Sequence, residues 1–206
     1  MNQFKRKTIF SLFFLVLSLQ LTSFAHAGEV EDAQASVISI TNSVSQELEA
    51  NRALVSSNPA ALDSVVRHRI LPFIDFDAMS KLTLGKHWRT ASASQRTRFT
   101  NAYREMLVRS YTKTMLRYIG AEIKPANSVS KGKPGYVTVR TKVYPKGAAP
   151  IAANYDMRKK GTEWKAYNVE VAGLNLITNF RTNFTREISQ KGLDALITRL
   201  EKTKSN

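Results

Sequence analysis

The chain contains no cysteine. Disulfides, a thiolate nucleophile, cysteine metal ligands and a lipid anchor on cysteine are therefore all excluded. Acidic residues are scarce, 16 against 31 Lys plus Arg, for a formal net charge of +15. Imidazole is scarcer still, with three histidines in the whole chain. His26 falls in the leader segment described below. His68 and His87 lie outside any HExxH-type spacing, and each reads as a surface residue of a basic helix. There is no G-x-S-x-G elbow and no G-x-x-x-x-G-K-[ST] phosphate loop. Asp75 and Asp77, flanking Phe76 at a helix start, suit capping better than acid–base work. No constellation supports an enzyme, a metal site or a cofactor. Beyond residue 27 no apolar run approaches the roughly 20 residues of a spanning helix.

What is present begins with an export signature. Lys5, Arg6 and Lys7 form a positive n-region, Ile9 to Leu21 is apolar apart from Ser11, Ser18 and Gln20, and Ala25-His26-Ala27 has the small-x-small pattern cut by signal peptidase. Residues 1–27 are expected to be a cleaved signal peptide and residues 28–206 a single domain in an exported compartment, most simply the periplasm. The basic balance points to nucleic acid, an anionic membrane or acidic protein partners. Export removes nucleic acid from that set.

The hydrophobic pattern is helical first. Ala33, Val37, Ile40, Val44 and Leu48 form one face of a helix over 30–56. Asn58-Pro59 opens a second helix, presenting Leu62, Val65, Val66 and Ile70 and stopping near Leu71-Pro72. A short helix over 75–84 ends at Gly85. Ser92 to Gln95 has capping-box spacing and opens a long helix, over 94–119, with an inward stripe through Phe99, Ala102, Tyr103, Met106, Leu107, Ser110, Tyr111, Thr114 and Tyr118. Four strand-like runs follow, over 121–124, 136–144, 151–157 and 163–171, separated by turn-rich segments. In the fourth, Trp164 and Ala166 oppose Tyr167, Val169 and Val171, so the inward face is ambiguous unless a bulge switches it. After Gly173 the helical period returns, through Leu176, Phe180, Phe184 and Ile188 and then Leu193, Leu196, Ile197 and Leu200. Helices, then consecutive strands, then helices describe an α+β domain with helices on a curved four-stranded antiparallel sheet.

The many aromatics on converging elements fit either an ordinary core or an apolar cavity with a wet mouth. Arg104, Arg109, Lys113, Arg117, Arg140, Lys142, Arg158, Lys159, Lys160, Arg181 and Arg186 are candidates to ring such a mouth.

An ordered set of segments resembles the MlaC family of periplasmic phospholipid-binding proteins, also known as toluene-tolerance proteins. It comprises Leu71-Pro72-Phe73-Ile74-Asp75-Phe76-Asp77-Ala78-Met79, Leu84-Gly85-Lys86-His87-Trp88-Arg89, Ser94-Gln95-Arg96 with Phe99, Arg104-Glu105-Met106-Leu107 with Tyr111, Pro150-Ile151, Tyr155, Trp164-Lys165-Ala166-Tyr167-Asn168-Val169, Gly173-Leu174-Asn175-Leu176-Ile177, Phe180-Arg181, Phe184 and Gly192-Leu193-Asp194-Ala195-Leu196. Two positions depart from the family pattern: Asn168 stands where Asp is usual and Asn175 where Ser is usual.

The resemblance implies an NTF2-like outline enclosing an apolar cavity that carries phospholipid as cargo. It implies passage of glycerophospholipid from an outer-membrane lipoprotein working beside a porin to an inner-membrane ABC transporter with an MCE-domain ring, maintaining outer-membrane lipid asymmetry. Another apolar cargo, hopanoid or quinone-like, is the alternative. The family pattern names no lipid ligands, so the lining is inferred as Leu84, Trp88, Phe99, Tyr103, Leu107, Tyr111, Val139, Val143, Tyr155, Met157, Trp164, Val169, Leu176 and Phe180, with half expected to touch cargo. Tyr103→Arg or Leu107→Asp is expected to abolish lipid retention without unfolding.

Overall fold

The computed structural model describes residues 21–202, with side chains from residue 28 onward. The expected n-region and nearly all of the apolar leader lie outside the described residues. Helix α1 spans Leu21–Ala50, starting nine residues before the expected position 30. Its inward stripe is as expected: Ala33, Val37, Val44 and Leu48 are buried. Asn51 interrupts the helix, and α2 continues over Arg52–Ser57. Among the described residues no helix is long and apolar enough to cross a membrane.

Asn58 caps α3, Pro59–Val65, by accepting the Ala60 N–H at 3.0 Å. The chain then widens into a π-helical turn over Val66–Ile70 and tightens into a 3-10 turn over Leu71–Phe73. Pro72 removes a donor there and ends the helical run. Asp75 caps α4, Phe76–Leu84, through the Ala78 N–H at 3.1 Å, in line with the capping role expected for this carboxylate. Gly85, at φ +55°, makes the sharp link to α5, Lys86–Thr90, a backbone setting that disfavours any Cβ. The Ser92–Gln95 capping box is complete and opens α6, Ala93–Met115, continued by a 3-10 turn over Leu116–Tyr118.

The sheet is antiparallel. It comprises β1 (Glu122–Pro125), β2 (Val129–Ser130), β3 (Tyr136–Tyr144), β4 (Ile151–Lys160), β5 (Glu163–Val171) and β6 (Leu174–Asn175). Its order is β1-β3-β4-β5-β6, with β2 also on β3. The four expected runs are all strands, and β2 and β6 add two short edge pieces. Along β3 and β4, Val137, Val139, Thr141 and Val143 lie opposite Met157, Tyr155, Ala153 and Ile151 on the inner face.

The ambiguity in the fourth run is resolved by a bulge. Asp156 pairs with Asn168 and Met157 with Ala166, leaving Tyr167 as the extra residue. One additional residue reverses the alternation. Trp164 and Ala166 before it and Val169 and Val171 after it therefore share the inner face. Tyr167 sits on the outer face, edge-on to Tyr136 at 6.0 Å.

Helix α7, Leu176–Lys191, is capped by Asn175 through the Thr178 N–H at 3.0 Å. Ser and Asn are both strong caps, so this departure from the family pattern leaves the local chemistry intact. Helix α8, Leu193–Lys202, closes the fold. Helices α4, α6, α7 and α8 form one apolar cluster around Phe99, Tyr103, Phe184 and Leu196. Helix α1 packs Ala33 and Val37 on Val137, Val139, Met157, Trp164 and Ala166 of the sheet.

Candidate functional site

The expected lining divides between the two layers. Leu84, Phe99, Tyr103 and Leu107 are buried in the helical cluster, with Trp88, Tyr111 and Phe180 packed against it. Phe99 stacks on Tyr103 at 5.4 Å, and Phe180 and Phe184 meet Tyr103 edge-on at 5.5 and 5.8 Å. Val139, Met157 and Trp164 belong to the sheet cluster under α1, and Val143 to a smaller one with Ala121 and Ala153. Val169 and Leu176 are half-buried. Tyr103 is fully buried, and burial pushes its phenol well above its ordinary range despite a weak bond from Thr83 at 3.4 Å. An arginine at this position would bury an unpaired charge among aromatic rings. Tyr103→Arg and Leu107→Asp therefore test folding, contrary to the expectation that they leave the fold intact.

Tyr155 touches both the central and the smaller sheet clusters. It keeps accessible surface while burial raises its phenol, opposed by a hydrogen bond to Thr141. It faces the seam between sheet and helices. That seam is joined along β5, which packs on α4 and α7, and along β3, which packs on α1. Helix α6 packs chiefly on α3, α4 and α8, and its expected inward residues Ser110 and Thr114 are exposed.

An open groove of about 470 Å³ lies at the hairpin end of this seam, lined by α1, the 66–73 turns and the β4–β5 hairpin. Asp32, Ser36 and Ile40 form its α1 wall at intervals of four residues, so they lie along one side of the helix. Phe73, Pro72 and Trp164 supply its apolar surface. Of the fourteen residues expected to line the site, only Trp164 lines this groove. Sequence reasoning missed Arg69, Pro72 and Phe73, because a π-turn followed by a 3-10 turn sets their direction and no simple period reveals it. The 32-36-40 spacing was the one available signal on α1.

Charge in the groove is mixed. Arg69 is held by Glu47 at 2.7 Å. Lys165 donates to Pro72 O at 2.9 Å and meets Glu163 at 2.8 Å. Lys159 rests over the Trp164 ring at 5.8 Å. The rest of the expected basic mouth is dispersed. Arg158 and Lys160 engage the buried carboxylate of Asp75, clasping the sheet to the start of α4. Arg181 donates to Leu82 O at 2.8 Å and closes the C-terminal end of α4. Arg140 donates to Asn127 O.

Neither histidine meets a carboxylate. His68 Nδ1 lies 2.9 Å from Ser64 O. His87 is held low by burial and by Lys86, with its Nε2 unpartnered. Among the described residues no cluster of His, Asp and Glu could hold a metal ion. The arrangement offers apolar surface and a mixed-charge mouth.

Comparison with known proteins bears on this geometry. The family model described as MlaC protein matches residues 39–202. The intermembrane phospholipid transport system binding protein MlaC of Haemophilus influenzae is 25% identical over 162 residues, covering 77% of this chain and 76% of that protein. The toluene tolerance protein ttg2D of Pseudomonas putida is 30% identical over 151 residues, covering 72% of this chain and 69% of that protein. The solved structure of a phospholipid-binding protein from Ralstonia solanacearum, in complex with a phospholipid, superposes with a TM-score of 0.76. It is 24% identical and covers 83% of this chain and 96% of that one, a likeness that establishes the fold.

Proposed function

Because the chain belongs to the MlaC family, we propose that it is a phospholipid-binding transport protein, a carrier of glycerophospholipid through the periplasm. The observation that carries this reading is the family match across residues 39–202, from the middle of α1 to the end of α8. Its relatives are named for intermembrane phospholipid transport and toluene tolerance. The finer reading is a shuttle between an outer-membrane lipoprotein with its porin and the MCE-domain ring of an inner-membrane ABC transporter. Such a shuttle maintains outer-membrane lipid asymmetry, with residues 1–27 removed on export.

Physical chemistry supports a carrier. Moving acyl chains into water costs about 0.8 kcal/mol per CH₂. Two chains together cost on the order of 20 kcal/mol on that scale, so unassisted transfer is negligible. The groove, at about 470 Å³, sits toward the small end of the roughly 300–1,000 Å³ range of ligand pockets. It holds the head and first methylenes of a two-chain lipid. The tails require the seam at Tyr155 to widen, with the helical cluster and the sheet parting as layers. Leu176, Val169, Tyr155 and Trp164 are the expected lining residues best placed to meet them.

The test is mass spectrometry of an organic extract of gently purified protein. Phosphorus-containing glycerolipid is the expected result. A reproducibly lipid-free protein, or an extract containing only phosphate-free apolar molecules, overturns the reading.

A further inference from the structure

We propose that the groove between α1 and the β4–β5 hairpin is a headgroup subsite that prefers a zwitterionic, amine-bearing phospholipid headgroup to an anionic one. The proposal deepens the phospholipid reading above and rests on it. It comes from the distribution of committed and uncommitted charge. The whole chain carries +15, yet the groove is lined by three cations and two carboxylates. Two of those cations are spent: Arg69 on Glu47, and Lys165 on Glu163 and Pro72 O. Glu163 is spent on Lys165 in turn. What remains among the described residues is one ammonium, Lys159, with no carboxylate within ion-pair reach, and one carboxylate, Asp32, with no cation within that reach.

These two groups stand on opposite walls at the same end of the groove. Glu29, one turn before Asp32, accepts the Gly135 N–H at 2.9 Å, and Gly135 O accepts the Lys159 N–H at 2.9 Å. The start of the α1 wall and Lys159 are therefore tied to one residue. From that end the α1 wall runs from carboxylate through hydroxyl to alkyl, Asp32 to Ser36 to Ile40, over about 12 Å of helix. A polar end with one positive and one negative group, leading onto Ile40, Pro72, Phe73 and Trp164, matches an amphiphile whose head holds phosphate and ammonium together. Lys159 meets the phosphate and Asp32 the ammonium. A headgroup with net negative charge and no amine leaves Asp32 facing like charge.

The test loads purified, delipidated protein from vesicles of equimolar phosphatidylethanolamine and phosphatidylglycerol with identical acyl chains, then quantifies bound lipid by mass spectrometry. The expected result for the unsubstituted protein is at least a threefold excess of phosphatidylethanolamine. Asp32→Asn brings the ratio to about one, and Asp32→Lys reverses it. Lys159→Glu lowers total loading of both. Bound lipid that mirrors the vesicle composition in the unsubstituted protein, or a preference that survives Asp32→Lys, overturns the subsite while leaving the carrier reading intact. Loading of neither lipid overturns the carrier reading itself.

Discussion

Asn168 illustrates how a single atom exchange reaches the protein's pH response. Its Nδ2 donates to Asp156 Oδ2 at 3.0 Å, while Lys131 and Thr138 donate to the other oxygen at 2.8 and 2.7 Å. Burial alone would raise the Asp156 carboxyl, but these donors outweigh it and hold the group below its usual range. Its contribution to stability is therefore complete above the unfolded carboxylate pKa of about 3.9 and is lost as pH falls through the depressed folded value. Asn168→Asp sets a second carboxylate against the first. The pair then resists full ionisation, so one folded pKa rises and stability is lost as pH rises through it. The expected cost is about 1–3 kcal/mol at pH 7, shrinking at pH 5, read from urea denaturation at both values. Asp75 offers a second case, since it caps α4 and anchors Arg158. Asp75→Ala removes both roles and should cost about 2–4 kcal/mol. Asp75→Asn keeps the cap and should cost clearly less, measurable in the same experiment. Equal losses for the two variants would mean that the cap contributes nothing.

At the scale of elements, the hydrophobic period, caps and turn residues were legible wherever one face dominated. Strands β3 and β5 have their expected bounds, and the capping box at Ser92 is fully formed. Legibility failed where local geometry departs from a simple period. The π-turn at Val66–Ile70 is one such place. The bulge at Tyr167 is the other: the sequence displays apolar residues on both faces of β5, and only pairing with β4 reveals which residue is extra. Deleting Tyr167 should remove the bulge and leave Val169 and Val171 on the inner face, because Ala166 and Asn168 then follow each other opposite Met157 and Asp156 in simple alternation. The expected outcome is that near-ultraviolet circular dichroism and cooperative unfolding are retained, as in Tyr167→Phe. A deletion variant that loses both would mean that the bulge itself is needed to bend the sheet.

For the whole molecule, two layers joined along limited seams suit a carrier better than a single welded core. The helical cluster around Phe99 and Tyr103 meets the sheet through Ile74 and the clasp between Arg158 and Asp75. The strongly basic surface acts at longer range. Under the proposed function it steers the carrier to acidic partners, and that attraction is screened by salt. The Debye length falls from about 10 Å at 0.1 M to about 4 Å at 0.5 M. Binding to the transporter's periplasmic ring should weaken markedly over that range in a surface-plasmon or sedimentation assay. Salt-independent binding would assign the recognition to apolar contacts.

The amino-acid sequence by itself determined the α+β class, the order of elements and the family. Each follows from residue types and short-range spacing, which the chain carries before it folds. Only the tertiary structure decided which aromatics became core and which face the seam. It also decided that Arg158, Lys160 and Arg181 serve as struts, and that Asp32 and Lys159 are left facing one groove. Those outcomes depend on pairing between segments far apart in the chain, where one bulge or one widened turn redirects side chains that local periodicity treats as equivalent.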